Sequence, residues 1–279
     1  MQKAIRILGL GLLSLFFISL VGCGEEEAGS APQNFTLSAS NDGLQVVLDW
    51  EEPLDGQPDN YIVYFREVGT TDWVVGETLD GDVVTYTHDP SEMTGDYYVA
   101  SDFGGTEYDS DIMTTIPVNT SSMNLGELNA VDYAGYGWDI TTDFMGATYS
   151  MIESANIPLV DFYLSNWAAG IVTTPYGIWA PDQAVSDPGN LGGVPAGAWR
   201  TTAIGADLIS DPQAALPEHS LLNYAQYVDM TQFPAYVAIY TVDGYYALIH
   251  VPSPPNTANG TVDVETWFQT VEGLRLIAH

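Results

Sequence analysis

The sequence predicts an all-β protein made of two successive sandwiches, and three observations predict it. From Pro32 to about Val118, apolar and polar residues alternate in short bursts divided by turn signals, as half-buried strands require. Residues 236–251 repeat that alternation around Asp243-Gly244, a dipeptide suited to a tight hairpin turn. Hydrophobic residues make up 46% of the 279 residues, enough for packed cores rather than wholesale disorder.

In the first region the expected strands are 34–39, 44–50, 60–67, 72–77, 83–88, 96–101 and 107–116. Seven strands in a span this short fit an immunoglobulin-like topology. Pro32 stands at the entry, followed by Val46-Val47-Leu48-Asp49-Trp50 with Pro53, then Tyr61-Ile62-Val63-Tyr64-Phe65-Arg66 and Trp73. Met93-Thr94-Gly95-Asp96-Tyr97-Tyr98-Val99 completes the series. In this order the residues resemble a fibronectin type III domain, here over residues 33–118. The resemblance implies that Trp50 is core and that Tyr97 is a tyrosine corner, its hydroxyl tied to the preceding loop.

Pro117 to Ser122 reads as a linker, and a second β-rich domain is expected over 123–279. Its expected strands are 125–132, 136–142, 146–152, 159–165, 170–173, 235–241, 244–251, 261–269 and 273–278. Residues 180–232, rich in Pro, Gly and Ala, read as a long connection with short helices near 203–210 and 220–229. Trp138-Asp139-Ile140, the hairpin around Asp243-Gly244, Trp267-Phe268-Gln269 and Leu274-Arg275-Leu276-Ile277 give this domain a weak resemblance to HmuY-like haem-binding lipoproteins. The lysines common in that family's hairpin are missing here.

Residues 1–22 combine Lys3 and Arg6 with an apolar run from Ile5 to Leu20, the pattern of a secretory signal too short for a comfortable membrane span. The run ends in Leu20-Val21-Gly22-Cys23, which resembles the lipobox of bacterial lipoproteins. That resemblance implies cleavage between Gly22 and Cys23, lipidation of Cys23, and a place in the bacterial cell envelope, anchored to the outer membrane. Residues 23–32 then form a tether, and Glu25-Glu26-Glu27 is similar to the acidic signals that send some such proteins to the cell surface. Cys23 is the sole cysteine, so no disulfide closes within the chain.

Beyond residue 22 the chain keeps Arg66, Arg200 and Arg275 against 37 acids, a formal charge of −34 with no lysine. Such a surface repels nucleic acid and anionic headgroups, which excludes both as partners, and it suits solubility in a salty medium.

The expected function is a binding or structural module held at the envelope by its lipid, with an extracellular glycan or protein as partner. Haem and glycan binding are the alternatives, with a hydrolase behind them. Haem needs axial ligands, and His219 with His250 is the candidate pair. A glycan needs exposed rings, and among Tyr133, Tyr136, Trp138, Trp167, Tyr176, Trp179 and Trp199 the Pro- and Gly-flanked Trp179 and Trp199 are the candidates. Acidic turns at Asp55-Gly56 with Asp59, Asp80-Gly81-Asp82, and Asp109 with Asp111 offer oxygen ligands for calcium, without EF-hand spacing. No cofactor is predicted outright and no metal ligand set is assigned. No Gly-x-Ser-x-Gly, His-Glu-x-x-His or phosphate-binding loop occurs, so the chain is not expected to be an enzyme. Replacing Cys23 with Ala is expected to move the protein from the membrane fraction to the soluble one with both domains folded; retention in the membrane fraction would refute lipidation.

Overall fold

The computed structural model describes residues 29–128, 133–166, 176–190, 193–256 and 260–279. The chain is all-β, as expected. Its first sandwich holds β1 (Gln33–Ala39), β2 (Val46–Glu51), β3 (Asn60–Glu67), β4 (Val74–Asp80), β5 (Thr85–His88), β6 (Gly95–Phe103), β7 (Thr106–Asp109) and β8 (Met113–Thr114). One sheet runs β1-β2-β5 and the other β4-β3-β6-β7, with β8 also pairing β6. This is an immunoglobulin-like arrangement of the fibronectin type III kind. Alternation places Val46, Leu48 and Trp50 of β2 opposite Tyr61 and Val63 of β3 and Tyr97 and Val99 of β6. Trp50 is core, meeting Tyr61 edge to face at 5.3 Å between ring centroids.

Two details depart from expectation. The strand expected over 107–116 breaks at Ser110, whose hydroxyl accepts the Val99 N–H at 3.0 Å, a side-chain bond that competes with the ladder. The Tyr97 hydroxyl bonds the His88 ring (Nδ1) at 3.0 Å instead of a loop carbonyl, so β5 supplies the partner of the corner. Burial holds His88 below its ordinary pKa of 6.5 and so keeps the ring neutral.

The second sandwich contains β9 (Val118–Gly126), β10 (Gly135–Trp138), β11 (Gly146–Tyr149), β12 (Phe162–Ser165), β13 (Gly177–Trp179), β14 (Ala203–Gly205), β15 (Tyr224–Ala225), β16 (Tyr227–Asp229), β17 (Ala235–Tyr240), β18 (Tyr246–Val251) and β19 (Thr261–Phe268). One sheet has the order β15-β14-β17-β18-β19-β9, the other β11-β10-β12-β13-β16. Between them lie Leu125, Tyr136, Trp138, Phe162, Ile178, Ile239, Ile249 and Phe268, all buried. The expected hairpin is the pair β17–β18, with Tyr240 opposite Tyr246 and Gly244 at φ +91° in the turn. The expected strand 170–173 lies outside the described residues.

The expected linker 117–122 is instead mostly strand, because β9 begins at Val118 and pairs with β19. Its Asn, Thr and Ser residues are polar because β9 is a sheet edge; only Thr120 turns inward, where its hydroxyl accepts the Gly146 N–H at 2.8 Å. The helices expected near 203–210 and 220–229 are replaced by the short strands β14, β15 and β16. Alternation of Tyr227 out, Val228 in and Asp229 partly out explains why β16 is a strand.

The expected strand 273–278 is not a strand but an extended tail that crosses back to the first sandwich. Val271, Leu274 and Leu276 complete the core around Phe35, Leu48 and Val99. Gln269, fully buried, anchors the crossing: its Nε2 donates to Thr115 O at 2.9 Å and to Leu276 O at 2.7 Å, while its Oε1 accepts Val271 N–H at 3.0 Å. Thr94 Oγ1 donates to Ala278 O at 2.6 Å, and Arg275 donates to Asp42 O and Leu216 O. The tail that follows the second sandwich thus completes the core of the first, while the core between the second sandwich's sheets remains separate. Among the described residues no helix is long and apolar enough to cross a membrane.

Leu276→Ala is expected to cost about 2–5 kcal/mol and to speed hydrogen exchange at β2 and β3 amides, far away in sequence; unchanged exchange there would place the tail outside the first core. The neutral His88 predicts a pH dependence as well. The unfolded ring binds a proton more readily than the folded one, so stability should fall as pH drops from neutrality through about 6.5, and His88→Gln should flatten that part of a urea-midpoint profile.

Candidate ligand-binding site

The framework of the second sandwich is set by one buried ion network. Asp161, fully buried before β12, accepts Arg200 Nε at 2.7 Å, Trp138 N–H at 3.2 Å and Thr202 Oγ1 at 3.3 Å. Arg200 also donates to Asp243 at the tip of the β17–β18 hairpin and to Pro158 O at 3.3 Å. Burial pushes the Asp161 carboxyl up to about 6 despite the adjacent guanidinium. Thr266 Oγ1, meanwhile, accepts Trp138 Nε1–H at 3.2 Å and bonds Tyr136 Oη at 2.9 Å, joining the two sheets.

The aromatic candidates divide. Trp199 is buried with Nε1 donating to Pro195 O at 3.1 Å, and Trp179 is buried beside it in a cluster with Met151, Val160, Tyr163 and Val194. Both are corrections to the expectation that they present open rings to a glycan. Their Pro and Gly neighbours mark coil that folds over the outer face of the β10-β12-β13 sheet, not projecting loops. Trp138 and Trp267 are buried as well, Tyr133 is exposed, and Trp167 lies outside the described residues.

The histidines are not brought together. His219 stacks on Tyr240 at 4.1 Å, and His250 stacks on Tyr236 at 4.6 Å with Nδ1 3.4 Å from Glu265 Oε2. Tyr236 and Tyr240 are four residues apart on β17, about 13 Å, so the rings do not face one axial position. Of the acidic turns, Asp59 is engaged within the protein, accepting Gly104 N–H at 2.9 Å. Among the described residues no three His, Cys, Asp or Glu side chains form a metal-holding group. Cys23 and Gly22 lie outside the described residues.

Several concavities open on the second sandwich among the described residues, a small one of about 290 Å³ beside Leu208, Ile209 and Pro217 included. One, about 410 Å³, lies at its junction with the first and is lined by His219, Tyr240, Tyr246, Glu218, Glu272 and Arg275. Its aromatic groups are already engaged: Tyr246 Oη accepts His219 N–H at 2.9 Å, and Tyr240 carries the His219 ring.

A further one, about 620 Å³, opens at the edge where β16 approaches the segment after β14. Tyr227, Asp229, Thr231, Gln232 and Asp207 line it. Tyr227 pairs across the strands with Trp179, their rings parallel at 4.1 Å and 7°. Since β16 is the edge strand, the opposite face of the Tyr227 ring looks off the sheet, and the residue is 43% exposed. Trp179 is thus the backing of a platform, and the exposed ring is Tyr227. Neither Tyr227 nor Asp229 stands out in the sequence, because both fall within the expected helix 220–229; the out-in-out sequence Tyr227-Val228-Asp229 was the available signal.

No family model and no curated protein matches the chain. Among solved structures, the fibronectin type III domain of human collagen XX is 18% identical and covers 31% of this chain and 91% of that one, with a TM-score of 0.26. The FN1–FN3 domains of chicken CNTN1 are 11% identical over 84% of this chain and 66% of theirs, at a TM-score of 0.26. Titin kinase with its flanking domains is 13% identical over 87% of this chain and 38% of that one, at 0.28. Fibronectin-type domains recur among these neighbours, but strand order, not these scores, identifies the fold. A sandwich of this kind does not by itself fix a function, which lies in its sites.

Proposed function

We propose that the chain is a lipid-anchored protein of the bacterial cell envelope whose fused sandwiches hold a glycan-binding face outward on the second sandwich. The signal-like segment before Cys23 supports the anchor. The observation that carries the glycan reading is the Tyr227 ring: exposed, held flat against buried Trp179, and bordering a cavity of sugar size with carboxylate, hydroxyl and amide groups around it. A sugar ring stacks its C–H face on such a platform, while Asp and Gln groups take its hydroxyls. Because Trp179 fixes the tyrosine before a ligand arrives, little side-chain entropy is lost on binding.

Titration of the protein from residue 24 onward with a panel of soluble cell-surface and matrix polysaccharides is expected to give saturable binding to at least one of them. Tyr227→Ala should weaken that binding about tenfold, the equivalent of about 1–1.5 kcal/mol of ring contact, with the circular dichroism spectrum unchanged. A panel without binding, or full affinity in the variant, would overturn the reading.

A further inference from the structure

We propose that the sugar taken by this face carries free amino groups, with the ligand ammonium seated on the Asp229 carboxylate beside the Tyr227 ring. The inference rests on the glycan reading and names the class of sugar. Tyr227 and Asp229 are two residues apart on β16 and turn to the same side, about 6.6 Å along the strand, close to the width of one pyranose ring. A sugar stacked on the tyrosine therefore brings a ring substituent to the carboxylate.

Asp229 is partly buried, yet among the described residues its side chain accepts no hydrogen bond and joins no ion pair. A carboxylate on the partly buried wall of a cavity, with no cation of the chain beside it, is a seat for a ligand cation. Burial alone holds this carboxyl above its usual range, in keeping with a charge that lacks a partner. Its cross-strand neighbour Gly177 keeps the place open. A Cβ there would clash with Trp179 Nε1 at 2.7 Å and Val228 O at 2.9 Å and would stand in contact with Asp229 Oδ1 at 3.4 Å.

Charge then selects among sugars. Asp207 also borders the cavity, and no Lys, Arg or His lines it. Arg66 is held by Asp96 at 2.6 Å, Arg200 by Asp161 and Asp243, and Arg275 by two carbonyls, so none of the three arginines beyond residue 22 stands at this face. Uronic and sialic acids meet repulsion, a neutral sugar leaves Asp229 without a countercharge, and an amino sugar supplies one.

Calorimetry at physiological salt with two trisaccharides, one of glucosamine and one of N-acetylglucosamine, tests the assignment. The amine form is expected to bind at least tenfold more tightly, Asp229→Asn to abolish that preference, and Tyr227→Ala to weaken both sugars. Asp72→Asn, which removes an acid from the first sandwich, controls for bulk charge and should leave the preference intact. Equal affinity for the two trisaccharides, a preference that survives Asp229→Asn, or an equal loss in Asp72→Asn would overturn the amino-sugar assignment while leaving the platform in place. Failure of both trisaccharides alongside binding of a neutral glucan that still depends on Tyr227 would also overturn this inference alone. Absence of binding by any glycan would remove the platform reading with it.

Discussion

One buried amide holds the molecule together. Gln269 stands where β19 ends, the first sandwich hands over to β9, and the tail turns back. Its side chain makes three hydrogen bonds, to Thr115, Val271 and Leu276. A buried side-chain amide left unpaired costs about 1–3 kcal/mol, so the satisfied amide fixes the path on which Val271, Leu274 and Leu276 enter the first core. The relative placement of the two sandwiches follows from that path and from Arg275, whose guanidinium bridges the carbonyls of Asp42 and Leu216.

Positive charge is scarce in this chain, and its three arginines beyond the signal-like segment all do structural work. Arg66 pairs with Asp96 and lies over the Trp73 ring at 4.5 Å, Arg200 joins the two sheets of the second sandwich through Asp161 and Asp243, and Arg275 binds carbonyls at the junction. The planar fork of arginine suits each place, since it satisfies several acceptors at once. What is left for the surface is acidic, so selectivity at any binding face begins with a bias against anions.

The first sandwich was legible because its strands are long enough to show period two and because Trp50 and the Tyr61-to-Phe65 strand fall in a recognisable order. The β17–β18 hairpin was legible for the same reason, with Asp243-Gly244 marking the turn. Strands of two or three residues, such as β14, β15 and β16, are shorter than any period, and their place is set by pairing with distant partners. Polar β9 read as linker since an edge strand carries Ser, Thr and Asn as comfortably as a loop does. Trp179 and Trp199 were misplaced for a related reason: flanking Pro and Gly describe the backbone, whereas burial depends on what packs over it. Tyr227 and Asp229 gained meaning only once β16 was seen to be an edge, and no local pattern encodes an edge.

The tail's place in the first core also orders events in time. Roughly 155 residues separate the end of the first sandwich from Val271, which at about 5–20 residues per second is on the order of 10–30 s of synthesis. Until then the strands made first lack three of the side chains that close their core. The segment that completes the first core is among the last made. The last closing contacts of the chain's first-made sandwich therefore come from residues near the end of the sequence.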